Sequence, residues 1–166
     1  AQAVDNDGVL VAPIITDATG LYTFDNLKPG EYYVQFDGPG DYVQTTQLNV
    51  LADADGTDSD AGVGGVTSCV ELSSGEDEVR VDAGFYETAS IGNYVWEDKD
   101  ADGTQDADED PLAGVTVTLY DCTTNAQAVD NDGVLVAPII TDATGLYTFD
   151  NLKPGEYYVQ FEGPGD

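Results

Sequence analysis

Residues 90–120 read SIGNYVWEDKDADGTQDADEDPLAGVTVTLY, and this stretch indicates both the fold class and the chemistry of the chain. Residues 90–97 and residues 114–120 carry the aromatic and β-branched side chains that are typical of strands. The twelve residues 98–109 between them are rich in acidic side chains. The stretch therefore predicts two strands joined by an acidic loop, and it excludes the helix–loop–helix arrangement of an EF-hand.

The acidic loop has the spacing of a calcium-binding loop. Asp98, Asp100 and Asp102 stand at positions one, three and five, a glycine follows at position six, and Glu109 stands at position twelve. Asp106 adds a further carboxylate between the glycine and Glu109. We therefore predict a calcium site in this loop, with the neighbouring Trp96 as a packing residue rather than a ligand-binding one.

Charge gives the physical reason for this prediction. Seven of the thirteen residues from Asp98 to Asp110 are acidic, and only Lys99 offsets them. Two carboxylates about 6 Å apart repel by roughly 0.7 kcal/mol even in water. Several such pairs would splay the loop unless a divalent cation held it, and calcium suits oxygen ligands on a flexible loop. The alternative is a solvated acidic turn, which acidic runs usually form.

The composition limits the partners of the chain. Its 166 residues include 33 acidic and four basic side chains, which gives a net charge of −29. This charge disfavours nucleic acid and anionic lipid surfaces as partners. No apolar run approaches the length of a membrane span, so we expect no membrane insertion. We find no signal peptide and expect the chain to be an excerpt of a mature protein.

We predict that the protein is not an enzyme. The chain has no histidine, which removes the commonest general base. Carboxylates of the kind that glycosidases use in pairs are abundant, but here they stand in metal-type spacing on turns. The sequence accordingly predicts no catalytic residues and no organic cofactor.

A long internal repeat sets the domain organisation. Residues 1–41 recur as residues 126–166, and Asp37 against Glu162 is the only difference. The offset of 125 residues predicts a tandem repeat of about 125 residues, a normal domain size. We place the repeat boundary near Thr88–Ala89. Residues 1–88 are then the C-terminal part of one repeat, and residues 89–166 are the N-terminal part of the next.

The C-terminal part of one repeat thus precedes the N-terminal part of the next in this chain. Two kinds of assembly are compatible with this order. The chain is either a window on a continuous tandem polypeptide or a subunit that completes its fold with strands from its neighbours. In both cases the expected partners are neighbouring copies of the same repeat, in a tandem chain or a filament.

Strand-like runs separated by turns account for the rest of the chain. No run has the 3.6-residue apolar period of an amphipathic helix, whereas turn signals recur every 8–12 residues. These features predict an all-β sandwich. The predicted strands outside the first stretch cover residues 9–16, 21–27, 30–36, 41–51, 65–73 and 79–87.

Three segments together resemble a known family. They are IGNYVWEDKDADGTQDADEDPLAGVTVTLYD, TDATGLYTFDNLKPGEYYVQF and DAGFYE, at residues 91–121, 141–161 and 82–87. They resemble the SdrD B-like domain, the calcium-binding B repeat of serine–aspartate repeat surface adhesins, which is related to Cna B-type domains. The resemblance implies an immunoglobulin-like Greek-key β-sandwich that is rigid with calcium. It also implies a role as a stalk or spacer in an extracellular adhesin or fibre.

The resemblance also implies two sets of calcium ligands. The first site consists of Asp98, Asp100, Asp102, Thr104 through its carbonyl, Asp106 and Glu109. A candidate second site consists of Asp53, Asp55, Asp58 and Asp60, with Asp17 or Asp142 as further ligands. The alternative for the second set is a solvated acidic loop. Many Cna B-type domains contain a Lys–Asn or Lys–Asp isopeptide bond, but the lysines here lie in turns or in the calcium loop, so we predict none.

The two cysteines, Cys69 and Cys122, are disulfide candidates in strand-like segments. In an intact repeat Cys122 would pair with the next occurrence of the Cys69 position, 72 residues later, and an extracellular setting permits such a bond. A direct Cys69–Cys122 bond would instead join the two partial domains, and a pair of free buried thiols is the third alternative. Two cysteines without histidine disfavour a zinc site.

The sequence thus favours a calcium-stiffened structural repeat of an extracellular stalk, adhesin or filament, either secreted or on the cell surface. The alternative is an adhesive module that binds a protein or glycan through exposed loops. Near-identity of the tandem copies favours the structural role, because a spacer gains length by duplication and an adhesive surface would diverge at its loops.

Overall fold

The computed structural model describes residues 2–45, 58–62 and 64–164. The chain divides into two compact units, unit 1 (Ala1–Phe85) and unit 2 (Tyr86–Asp166). The described residues form no helix, and hence none that could cross a membrane. Their strands are β1 Gly30–Tyr32, β2 Tyr42–Gln44, β3 Val70–Leu72, β4 Phe85–Glu87, β5 Ala89–Tyr94, β6 Thr116–Asp121, β7 Ile139–Ile140, β8 Leu146–Leu152 and β9 Tyr157–Glu162.

Unit 2 contains two antiparallel sheets. In one sheet β5 pairs with β8. In the other sheet β6 lies between β7 and β9, with Leu119 opposite Val159. Threonine alternates with valine or leucine along β6, and a strand sends successive side chains to opposite faces of its sheet. Val117 and Leu119 therefore share one face.

The core of unit 2 joins these two sheets. Val117 and Leu119 of β6 are fully buried, and they pack in one cluster with Phe149 and Leu152 of β8. Since residues of both sheets meet in this cluster, the sheets pack face to face. The predicted all-β sandwich is confirmed, and so are the two strands on either side of the acidic loop.

Unit 1 has a smaller described core. β1 pairs with β3, with Glu31 opposite Glu71, and an isolated bridge between Gln35 and Val66 continues the pairing. Among the described residues of this unit, Ala61 and Val70 are the buried apolar ones. The strand predicted over residues 79–87 was too long, because only β4 at its C-terminal end is regular.

The repeated segment differs between the two units. In unit 1 residues 9–16 and residues 21–27 form no regular strand, so both strand predictions were wrong there. Ile15 is 94% exposed in this unit. In unit 2 the counterparts of these runs contain β7 and β8, which pair with β6 and β5. A strand needs a neighbour for its backbone groups, and the described part of unit 1 has no counterpart of β5 or β6.

Candidate metal site

The acidic loop is clamped at its base between β5 and β6. An isolated bridge joins Trp96 to Pro111, and the Glu97 amide donates to the Asp110 carbonyl at 3.0 Å. Trp96 stacks on Tyr94 with 6.5 Å between the ring centroids. Trp96 is thus a packing residue at the base of the loop, and its position fixes where the loop leaves and rejoins the sheets.

Three carboxylates converge at the start of the loop. One oxygen each of Asp98, Asp100 and Asp102 lies within 4.8 Å of the others, and all three side chains are exposed. Two oxygens bound to one calcium ion at 2.3–2.6 Å lie at most about 5 Å apart, so these distances fit a shared ion. The carboxylates at positions one, three and five are therefore brought together as the spacing predicted.

Backbone amides hold these carboxylates in place. The Gly103 amide donates to Asp98 Oδ2 at 2.9 Å, and the Thr104 amide donates to Asp102 Oδ1 at 2.6 Å. The chain turns sharply here, with φ of 60° at Ala101 and 78° at Gly103. Glycine suits position six because it adopts this left-handed conformation without the penalty of a Cβ atom.

Glu109 reaches back to the start of the loop. Its Oε1 accepts from the Lys99 amide at 2.8 Å, and its Oε2 accepts from the Asp106 amide at 3.1 Å. Glu109 is half-buried as a residue, and both of its carboxylate oxygens bond within the loop. The three-aspartate cluster does not include Glu109 or Asp106. The structure therefore brings together three of the predicted ligands and orients a fourth toward the same loop.

Lys99 is engaged on the flank of the loop. Its Nζ donates to the Asp108 carbonyl at 2.6 Å and to Asp110 Oδ2 at 3.0 Å. The hydrogen bond to Asp110 raises the pKa of Lys99, with further contributions from the charges of Asp110, Asp108 and Glu97. The one basic side chain of the loop is thus paired with Asp110 rather than with the three-aspartate cluster.

Comparison with known proteins places this chain in a family. The family model for the SdrD B-like domain matches residues 2–85 and residues 89–166. The chain belongs to the SdrD B-like domain family. No solved structure matches it.

Relatives with a similar sequence include long staphylococcal proteins. Serine-aspartate repeat-containing protein I of Staphylococcus saprophyticus is 41% identical over 90% of this chain. Protein F of Staphylococcus epidermidis and protein D of Staphylococcus aureus are each 36% identical over 96% of it. The chain spans only 8%, 9% and 11% of the lengths of these three relatives, so it corresponds to a small part of each.

The second acidic cluster of this SdrD B-like chain is only partly described, since Asp53 and Asp55 lie outside the described residues. Asp60 is only 2% exposed, and its Oδ2 accepts from the Asp82 amide at 2.9 Å. The Asp60 amide donates in turn to the Asp82 carbonyl at 3.1 Å. Oδ1 of Asp58 is buried without a hydrogen-bond partner among the described residues. Asp60 therefore ties its segment to Asp82, three residues before β4.

The turn aspartates Asp17 and Asp142 bond within their own turns. Oδ1 of each accepts from the hydroxyl of the threonine two residues later at 2.6 Å, and from the amide of that threonine at 2.8 Å. These hydrogen bonds lower the pKa of both carboxyls, and the bond from the threonine hydroxyl has the largest effect. Each aspartate thus stabilises a tight turn in the SdrD B-like fold.

Tyr22 is a structural residue that the sequence did not single out. Its hydroxyl donates to the Val81 carbonyl at 2.6 Å. Burial raises the pKa of Tyr22 to about 12, and the negative charges of Asp82 and Asp60 add to the effect. The contact spans 59 residues of sequence, so no local pattern predicts it.

We expect unit 1 to lose stability in strong alkali because of Tyr22. The pKa of this side chain rises from its ordinary value of 10.0 to about 12 in the fold, so folding favours the protonated form. Its contribution is complete below pH 10 and is lost as the pH rises through 12. Denaturant unfolding of wild type and Tyr22→Phe between about pH 9 and pH 12 measures this. The difference between the two proteins should shrink as the pH rises; a constant difference would contradict the assignment.

Both cysteines are free thiols in the structure. Cys69 lies directly before β3 in unit 1, and Cys122 lies in the turn directly after β6 in unit 2. Each side chain is exposed, so the alternative of free buried thiols does not describe them. The placement of Cys122 in a strand-like segment was wrong, since the Asp121 side chain caps a turn there by accepting from the Thr123 and Thr124 amides. The disulfide within an intact repeat stays a prediction.

Proposed function

We propose that this chain is a calcium-stiffened structural repeat of an extracellular stalk, adhesin or filament, either secreted or on the cell surface. The observation that supports it best is the convergence of Asp98, Asp100 and Asp102 within 4.8 Å in a loop clamped between two strands of the sandwich. The partners that we propose are neighbouring copies of the same repeat. We propose no enzymatic activity, nucleic-acid binding or membrane insertion.

The donor atoms of the loop suit calcium. They are carboxylate oxygens and one backbone carbonyl oxygen, a hard ligand class that calcium prefers, and the chain has no histidine to attract a softer metal. Asp98, Asp100, Asp102, the Thr104 carbonyl, Asp106 and Glu109 would hold the ion. Calcium would supply the positive charge that offsets their mutual repulsion.

Stiffening follows from the position of the loop. Asp98 lies two residues after Trp96, and Glu109 lies two residues before Pro111, so the ligands stand at both ends of the clamped base. An ion bound to both ends would tie the exit from β5 to the approach to β6. Opening the sandwich at this end would then require breaking metal–ligand bonds.

The family supports the extracellular structural role. The relatives are serine-aspartate repeat-containing proteins, and this chain matches only a small fraction of each of them. The internal repeat of residues 1–41 fits a spacer that lengthens by duplication. We assign no adhesive ligand to these residues.

We propose a second calcium site at Asp58 and Asp60, with Asp53 and Asp55 as further ligands. The buried Oδ1 of Asp58 without a hydrogen-bond partner among the described residues supports this, because a buried carboxylate oxygen gains from a bound cation. Asp17 or Asp142 would complete this site as further ligands, and Oδ1 of each already accepts hydrogen bonds within its own turn.

Single-molecule force spectroscopy tests the stiffening role directly. The chain is stretched from its two ends, first in millimolar calcium and then in chelator. We expect the unfolding force of unit 2 to fall in chelator for the wild type and to differ much less between the two solutions for Glu109→Gln. Equal wild-type forces in both solutions would overturn the proposal.

A further inference from the structure

Tyr86 lies at the junction between two SdrD B-like domains. The two matches to the family model end at residue 85 and begin again at residue 89, so residues 86–88 join them. By sequence these residues close one repeat, for which we predict a boundary near Thr88–Ala89. In the structure, however, unit 2 begins at Tyr86. The tyrosine that ends one repeat therefore belongs to the unit that contains the next.

Tyr86 lies close to two parts of unit 2. Its hydroxyl donates a partly buried hydrogen bond to Oδ1 of Asn131. Burial raises the pKa of Tyr157, and the charges of Asp121 and of ionised Tyr86 add to the effect, so Tyr86 also lies near the start of β9. The hydrogen bond spans 45 residues of sequence, so it depends on the fold of unit 2 rather than on a local turn.

Asn131 is held in place by the hairpin of residues 127–136. An isolated bridge between Val129 and Leu135 pairs the two arms of this hairpin. The Asn131 amide donates to the Asn151 carbonyl at 2.7 Å. Asn151 stands in β8, one of the strands whose side chains form the core of the unit. The acceptor of the tyrosine hydrogen bond is thus anchored to that core.

The same hairpin forms in unit 1, over residues 2–11. An isolated bridge again pairs its two arms, and the Asn6 amide donates to the Asn26 carbonyl at 2.8 Å. In both units the side-chain amide of the accepting asparagine also donates to the hairpin aspartate at 2.9 Å. Asn6 and Asn131 are thus held alike, although the two units contain different parts of the repeat. The repeated sequence therefore forms this acceptor by itself.

We propose that Tyr86 fastens the end of one repeat to the hairpin of the repeat that follows it, through its hydrogen bond to Asn131. The partner is the next copy of the repeat in the same polypeptide. Relative motion is the default expectation for consecutive domains. A linker whose first side chain is held by the downstream domain has fewer free torsions and bends less. This inference rests on the proposed role as a tandem structural repeat, but it does not depend on calcium.

Limited proteolysis at Glu87 tests this proposal. A glutamyl endopeptidase cleaves after this residue when the junction opens, and the cleavage rate follows the population of the open form. Tyr86→Phe removes the donor hydroxyl, and Asn131→Ala removes its acceptor. Loss of one hydrogen bond of ordinary strength makes opening about three- to tenfold more frequent. We expect each variant to be cleaved faster than the wild type by this factor, and the double variant to be cleaved no faster than either.

Tyr158→Phe is the matched control for the loss of a tyrosine hydroxyl. Tyr158 lies in the same unit, where its ring stacks on Tyr120 with 5.1 Å between the ring centroids. This variant should be cleaved at the wild-type rate. Mass determination of the fragments separates cleavage at Glu87 from cleavage at other glutamates. An unchanged rate at Glu87 in Tyr86→Phe, or a double variant in which the two effects multiply, would overturn the proposal.

The cleavage rates are measured in calcium and again in chelator. The ratio of the Tyr86→Phe rate to the wild-type rate should be the same in both solutions, because the hydrogen bond lies outside the acidic loop. Failure of the calcium site would remove the effect of chelator on the wild type and leave this ratio unchanged. Failure of the junction contact would bring the ratio to one in both solutions.

Discussion

Calcium should raise the melting temperature of unit 2 by about 10–20 °C, and Glu109→Gln should lose most of this gain. Calcium that binds only the folded state adds roughly 2.7 kcal/mol at a hundredfold excess over its dissociation constant. Each kcal/mol shifts the melting temperature of a domain of this size by about 4–8 °C. Differential scanning calorimetry in millimolar calcium and in chelator measures the effect.

Glu109 is the informative position because its carboxylate is already oriented. Its two oxygens accept from the Lys99 and Asp106 amides, whereas glutamine has one oxygen fewer and no charge. Asp108→Asn is the matched control, since it removes one charge from the same loop at a residue whose backbone carbonyl contacts Lys99. Equal losses of the calcium effect in both variants would show that total charge, not the predicted ligand set, binds the ion.

Leu119→Ala should cost unit 2 about 3–5 kcal/mol of unfolding free energy, the upper part of the range for large-to-small core substitutions. Leu119 is fully buried, lies opposite Val159, and packs in the cluster with Phe149 and Leu152. Truncation leaves a cavity between the two sheets, which the strands on both sides keep from closing.

Leu146→Ala is the control for the core substitution. Leu146 begins β8 and is 58% exposed, so its loss should cost less than about 1 kcal/mol. Urea unfolding of both variants in the same calcium buffer gives the comparison. Similar costs at the two positions would mean that the cluster around Leu119 is not the core of unit 2.

Local patterns in the sequence were sufficient for the part of the fold that surrounds the loop. β5 and β6 occur where aromatic and β-branched residues predicted them, because both runs find antiparallel partners within unit 2. The same patterns failed over residues 9–16 and 21–27 of unit 1. Strand formation depends on a neighbour, and identical residues formed β8 in unit 2 where β5 was present.

At the candidate site too, the sequence predicted contacts between residues close in sequence but not those between residues far apart. Asp98, Asp100 and Asp102 converge because alternate residues of one tight turn share a side of it, which spacing alone predicts. The burial of Asp60 and the contact from Tyr22 to Val81 connect residues far apart in the sequence, so no local motif indicates them.

Calorimetric titration of calcium into the full chain tests the central claim most directly. We predict saturable binding by the wild type and by Asp108→Asn, and loss of one class of sites in the double variant Asp98→Asn, Asp102→Asn. These two aspartates place their oxygens in the three-aspartate cluster, and they accept hydrogen bonds from the Gly103 and Thr104 amides that directly follow Asp102. A wild type that binds no calcium, or a double variant with unchanged stoichiometry and affinity, would contradict the account.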